Sequence, residues 1–194
     1  EQNRQLALEH SPESFARVLM LYVPLRVQNT EIQAFIDSGA QMTIMSESCA
    51  KKCGVMRLLD TRFAGQAVGV GTAKILGKVH LAQINFGGTF FQCSFTVLED
   101  ATGDKNMEFL LGLDMLKRYQ ASIDLKSNQL HMWAGDTCVS VPFLSEGDLP
   151  ESKGGTKGFS QAVNESSQKM DTDDDGNSND NNNNNDNQKP SSAT

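Results

Sequence analysis

The sequence predicts an all-β domain, mostly antiparallel with two short helices, followed by a disordered acidic tail, on three observations. Short apolar, β-branched runs recur between residues 18 and 143, separated by turn residues. The helical patterns among them are brief and carry stop signals at their ends. Beyond Pro150 large apolar residues almost vanish, and residues 171–187 are nearly all Asp, Asn, Ser and Gly. Such a stretch cannot bury enough surface to offset its chain entropy.

Taken in order, residues 1–10 favour helix, and Ser11-Pro12-Glu13 offers a cap residue followed by proline at a first helical position. Because the chain starts inside this pattern, residues 1–13 are expected to be the end of a preceding helical region of a longer protein. A strand pattern over residues 18–27 is interrupted by Pro24, which suits an edge or terminal strand. Residues 29–31 read as a turn, and residues 32–36 return as a strand running straight into Asp37-Ser38-Gly39. Residues 46–54 have a serine cap in front and a glycine stop behind, predicting a short helix. Hairpins are expected over residues 63–95, with turns at Gly69-Val70-Gly71 and Gly87-Gly88. A second helix over 114–119 and strands over 121–125, 129–133 and 138–143 complete the domain.

With 194 residues and 38% hydrophobic content, one domain with a substantial core is expected. The net charge of -7 is uneven: ten acidic and four basic residues lie from Ser145 onward, leaving 14 against 13 before it. The near-neutral body offers no basic stripe for nucleic acid. No run approaches the roughly 20 apolar residues of a membrane span, and no apolar signal core follows a charged lead. A soluble protein in a reducing compartment is expected. Cys49 and Cys53 are four apart in the first helix, with no second Cys or His pair nearby to complete a metal site, so no metal is expected.

Asp-Ser-Gly alone is a common turn. Here, however, the apolar run Ala34-Phe35-Ile36 delivers Asp37 to its loop, and Ala40 and Thr43-Ile44 follow where a solvent turn would be polar. A carboxylate held among apolar neighbours is a common functional arrangement. Far downstream, Phe109-Leu110-Leu111-Gly112-Leu113-Asp114 repeats the plan of strand, glycine loop and helix. Packing the two units together would brace the Asp37 loop against Gly112. The glycine-bearing turn at residues 69–71 could close over a bound peptide.

At these residues the sequence resembles the retroviral-type aspartic protease domain of the DNA-damage-inducible ubiquitin-shuttle proteins. The resemblance covers roughly residues 14–149, and its distinctive runs are FIDSGAQMTIM at 35–45, GKVHLAQ at 77–83 and LLGLDMLKR at 110–118. It implies a closed retropepsin-like acid protease fold with short helices. It makes Asp37 the catalytic carboxylate, Ser38, Gly39 and Ala40 the active-site loop, Gly69, Val70 and Gly71 the flap tip, and Leu110, Leu111 and Gly112 the supporting strand and substrate wall. The wider viral pattern has threonine at position 38, an acidic residue at 41 and arginine at 113. Serine keeps the hydroxyl, whereas Gln41 and Leu113 weaken the expectation of viral-style substrate-end contacts and dimer salt bridges. The resemblance further implies ubiquitinated protein substrates, links to ubiquitin and the proteasome through domains outside this chain, and a cytoplasmic location extending to the nucleus.

Peptide hydrolysis without metal or covalent intermediate needs one carboxylate to take a proton from water and another group to protonate the carbonyl oxygen. Two carboxyls roughly 3 Å apart share one proton and do both. This sequence has one such motif, so the expected enzyme is a homodimeric endopeptidase needing no cofactor. Serine chemistry is not expected, since His10, His80 and His131 accompany no nucleophile motif. The alternative reading is a non-catalytic dimeric adaptor that uses the same fold to dimerise and to bind peptides or ubiquitinated substrates.

Overall fold

The computed structural model describes residues 2–15, 17–69, 71–100 and 107–157. In chain order they form α1 (Gln2–His10), β1 (Tyr22–Val27), β2 (Thr30–Ile36), β3 (Ile44–Ser46), α2 (Glu47–Lys52), β4 (Leu59–Asp60), β5 (Gly65–Gly69) and β6 (Gly71–Phe86). They continue with β7 (Thr89–Leu98), β8 (Phe109–Leu111), α3 (Leu113–Arg118), β9 (Ser122–Asp124), β10 (Gln129–Ala134) and β11 (Thr137–Pro142).

Six strands close on themselves in the order β1-β2-β8-β3-β7-β6, and β6 returns to pair with β1. Closure removes the open edges that a sheet would otherwise expose. Pro24 shows how β1 joins this ring. All six residues of β1 pair with β2, but only Arg26 and Val27 pair with β6. The side of Pro24 away from β2 therefore has no partner strand among the described residues, as a residue without an N–H requires. The following turn lies at Gln28-Asn29, ahead of the expected residues 29–31, and Gln28 adopts a φ of 54°.

Alternation turns Val23, Leu25 and Val27 of β1 inward, and Ile32, Ala34 and Ile36 of β2 meet them. The long β6–β7 hairpin turns at Gly87-Gly88, where Asn85 Oδ1 accepts the Gly88 N–H at 3.1 Å. Its Phe86 and Phe91 rings stand edge to face, and Phe95 meets Phe109 of β8 likewise at 5.8 Å. Ser46 caps α2 by accepting the Cys49 N–H at 3.2 Å, and Gly54 ends it at φ 67°. A three-stranded sheet, β11-β10-β9, adds Leu130, Met132, Val139 and Val141 to the core.

Two details depart from the expected domain limits or bear on them. Helix α1 buries none of its residues. At the other end, the expected tail boundary at 150 falls too early. Residues 151–153 form a 3-10 turn, Pro150 bridges to Lys157, and Lys153 is buried. Polar contacts hold this segment down, so a count of apolar residues does not register it. Residues 158–194, the rest of the expected tail, lie outside the described residues.

Phe109 is 1% exposed at the centre of this packing. Phe109→Ala is expected to lower unfolding stability by about 3–5 kcal/mol through lost transfer energy and a residual cavity. A denaturant titration checks this, the midpoint falling with little change in slope.

Candidate active site

Strands β2 and β8 run parallel, with Ala34, Phe35 and Ile36 paired to Phe109, Leu110 and Leu111. Both therefore leave the barrel at the same end, one into the Asp37 loop and the other into Gly112 and α3. The loops are stitched together there. Asp37 donates its N–H to Leu111 O at 3.1 Å, Leu113 donates to Ala40 O at 2.8 Å, and Asp114 donates to Gln41 O at 3.1 Å. The first N–H groups of α3, which have no partner within their own helix, thus hold the carbonyls of the aspartate loop.

Gly112 is buried and lies against the backbone of Met42, where an added Cβ would come within 2.6 Å of the carbonyl. Only glycine permits that approach. Its N–H donates to Thr43 Oγ1 at 3.1 Å. Thr43 Oγ1 in turn donates to Asp114 Oδ1 at 2.6 Å, and Thr43 N–H donates to Asp114 Oδ2 at 3.1 Å. The Asp114 carboxylate also accepts the Met115 N–H at 2.8 Å, inside the first turn of α3. Thr43 and Asp114 were not among the expected site residues. Their signals are a threonine in an otherwise apolar stretch and an acidic residue in the first turn of the predicted helix.

Within the loop, Asp37 Oδ1 accepts the Gly39 N–H at 2.8 Å, and Ala40 donates to Asp37 O at 3.3 Å. A Cβ at Gly39 would meet that same Oδ1 at 3.1 Å. Asp37 is half-buried, while Ser38 and Gly39 are exposed. Apolar enclosure therefore stops at the strand behind the carboxylate, and in a single chain its outer side is open. Leu110 and Leu111 of β8 are buried. Gln41 and Leu113, where the viral pattern has charged residues, serve the junction through their backbone groups.

The expected flap is a hairpin of β5 and β6, in register from Gly65 opposite Ile75 to Gly69 opposite Gly71, while Val70 lies outside the described residues. Its root is fastened at Asp60. The Asp60 carboxylate accepts two bonds from the Arg62 guanidinium at 2.9 and 2.8 Å, and His80 Nε2 lies 3.0 Å away. Phe63 stands edge-on to the His80 ring. Hydrogen bonding to Arg62 and then to His80 holds the Asp60 carboxyl well below the usual range.

The remaining reactive groups fall elsewhere. Cys49 and Cys53 are buried with their sulfurs 4.0 Å apart, and hydrogen bonding to Cys53 together with burial pushes the Cys49 thiol up. Among the described residues no cluster of three or more His, Cys, Asp and Glu could hold a metal. His131 lies between Ser140, at 2.6 Å, and Asp124, at 3.7 Å. Ser140 stands in regular register opposite His131, not on the sharp turn that presents a nucleophile above free N–H donors.

A closed six-stranded barrel with an Asp-Ser-Gly loop at the end of one strand is the architecture of a retropepsin-like aspartic protease domain. Residues 12–124 match the family model described as aspartyl protease, and the chain belongs to that family. It is 55% identical over 151 residues to "Protein DDI1 homolog 2" of Mus musculus, which covers 78% of this chain and 36% of that protein. It is 53% identical over 150 residues to "Protein DNA-DAMAGE INDUCIBLE 1" of Arabidopsis thaliana, covering 77% of this chain and 35% of that one. The chain thus spans about a third of the length of these curated relatives. The crystal structure of the retroviral protease-like domain of Ddi1 from Leishmania major matches with a TM-score of 0.60 and 45% identity, over 69% of this chain and 100% of that one. Within the family, then, this is a retroviral-type protease domain of the Ddi1 kind.

Two outcomes follow from the site. Thr43→Val keeps the shape but strands the buried Gly112 N–H and takes one donor from Asp114 Oδ1, and should cost about 1–3 kcal/mol in a urea titration. Asp60 titrates lower folded than unfolded, so its contribution is complete above the ordinary value of 3.8 and is lost as pH falls through the lowered folded one. Amide exchange in β5 and in the part of β6 paired with it, corrected for intrinsic rates, should therefore rise on acidification below that range, and less so in Asp60→Asn.

Proposed function

We propose that two copies of this chain form an aspartic endopeptidase in which each copy contributes one Asp37 across a two-fold axis. The observation that carries the reading is the Asp37 loop itself: a half-buried carboxylate, oriented by the Gly39 N–H and open on its outer side. Brought within roughly 3 Å of its symmetry mate, it would share one proton, because like charges at that distance cannot both be ionised. The ionised carboxyl takes a proton from water as the oxygen attacks the scissile carbonyl, and the protonated carboxyl donates to the carbonyl oxygen. Collapse of the tetrahedral intermediate returns a proton to the leaving amine and restores the dyad.

Dimerisation is supported by what surrounds the loop. Strand β9 is one of the two edges of its sheet among the described residues, with Ile123 exposed and Leu125 exposed just beyond it. Ile123 lines a groove of about 410 Å³ together with Ser38, Leu113 and Leu116. An open strand edge with apolar side chains beside the Asp37 loop suits isologous pairing. The substrates are extended protein segments under the paired β5–β6 hairpins. That they come from ubiquitinated proteins of the cytoplasm and nucleus rests on the resemblance alone.

The decisive variant is Asp37→Asn. An amide keeps the shape of the carboxyl but can neither accept a proton from water nor share one across the dyad, so hydrolysis should vanish while fold and dimer persist. The wild type should cleave with a bell-shaped pH dependence. Cleavage of an unfolded protein and of a ubiquitinated one is followed across pH for both forms, with sedimentation reporting the dimer. Equal cleavage by a folded Asn variant removes Asp37 from the mechanism. A wild type that binds substrate as a dimer without cutting it leaves an adaptor.

A further inference from the structure

Gln33 and Glu108 stand one residue ahead of the paired Ala34 and Phe109, at the entry of the parallel ladder whose exit carries Asp37 and Gly112. Lys153 bridges them. Its Nζ donates to Gln33 Oε1 at 3.0 Å and to Glu108 Oε2 at 2.8 Å, and lies 5.4 Å from the centre of the Tyr22 ring. Only 5% of its side chain is exposed. Gln33 completes the arrangement by donating its Nε2–H to Asp148 O at 3.1 Å, and Lys52 reaches Glu108 Oε1 from α2 at 3.4 Å.

The segment that brings Lys153 here is fixed by its own backbone. Lys153 N–H donates to Pro150 O, Thr156 N–H to Glu146 O and Lys157 N–H to Leu149 O, at 2.9, 2.8 and 2.9 Å. Burying an ammonium is costly unless partners are well placed, and leaving its carboxylate partner alone is costlier still. Burial pushes the Glu108 carboxyl up, yet the hydrogen bond and charge of Lys153, with Lys52, outweigh it and hold the group below its usual range.

Strand β8 has three residues, held by three pairs to β2 and two to β3. A register set by so few pairs is easily lost, and a slip of one residue would turn every side chain of β8 to the opposite face. A buried cation bonded to β2 and to the residue that leads into β8 resists that slip. We propose that Lys153 is a positioning residue of the active site, pinning Gln33 of β2 to Glu108, the residue just ahead of β8, so that the Asp37 loop meets Gly112 in register. The rate arm of the test below rests on the protease reading, and the exchange arm does not.

The test uses the full chain, with Asp37→Asn as the activity baseline. Lys153→Met should lower kcat by about tenfold to a hundredfold with KM nearly unchanged, since small misplacements of reacting groups have effects of that order. Exchange of the Asp37 and Leu113 amides, which bond across the junction, should quicken about tenfold relative to Met132 and Val139 in the second sheet. Adding Glu108→Gln to Lys153→Met removes the stranded charge but restores no bridge to Gln33, so both effects should persist. Gln33→Leu withdraws only the β2 partner and should move the same two amides in the same direction, giving a readout should Lys153→Met not fold. The proposal is overturned if these amides stay within about twofold of wild type, if exchange rises equally in the second sheet, or if the double variant recovers most of the wild-type behaviour. A wild type no faster than Asp37→Asn removes the protease reading, and the exchange arm then judges the clamp alone.

Discussion

Two strands that run parallel leave a sheet at the same end, and the pairing of β2 with β8 decides where everything near Asp37 must go. The connection between them contains most of the barrel, so the two loops that meet at Asp37 come from distant parts of the chain. Once they meet, the leftover hydrogen-bonding groups of one satisfy those of the other. The N-terminal N–H groups of α3 take the carbonyls of the aspartate loop, and Thr43 links the Gly112 N–H to Asp114. The carboxylate of Asp37 is left with one local donor and an open face, because the rest of its surroundings are spent on holding the loop.

What the sequence reveals and what it hides divide along the distance between partners. Patterns whose parts are neighbours in the chain were readable: the Ser46 cap and Gly54 stop of α2, the Gly87-Gly88 turn, and the strand that delivers Asp37. Pro24 was readable as a strand position needing an open side. The resemblance carried by three long motifs added the closed barrel, which no local pattern specifies. The bond between Thr43 and Asp114 spans 71 residues, and that between Lys153 and Gln33 spans 120. No periodicity points from one such partner to the other. The early tail boundary has the same cause, for a lysine among serines and glycines looks like solvent-facing chain until its carboxylate is known.

Leu113 and Gln41 illustrate how a site can keep its geometry while changing its chemistry. At both positions the junction uses main-chain groups, which any residue supplies. The side chains are therefore free of the loop's architecture: Leu113 turns to the groove beside Ser38, and Gln41 is exposed. Charge at these two places is thus separable from the placement of the Asp37 loop, whereas glycine at 112 is not.

Lys153 also has a bearing on the order in which the molecule is made. A chain emerging from the ribosome can form β1, β2 and the β6–β7 hairpin from residues already outside the tunnel. The β2–β8 ladder, by contrast, must wait for residue 111, and its clamp for residue 153, after the second sheet has been synthesised. Contacts closing such long loops are slow to form because their entropy is lost before any bond repays it. The nascent barrel thus holds Gln33 and Glu108 unbridged through much of its synthesis, and the Asp37 loop takes its final setting late, when the domain is almost complete.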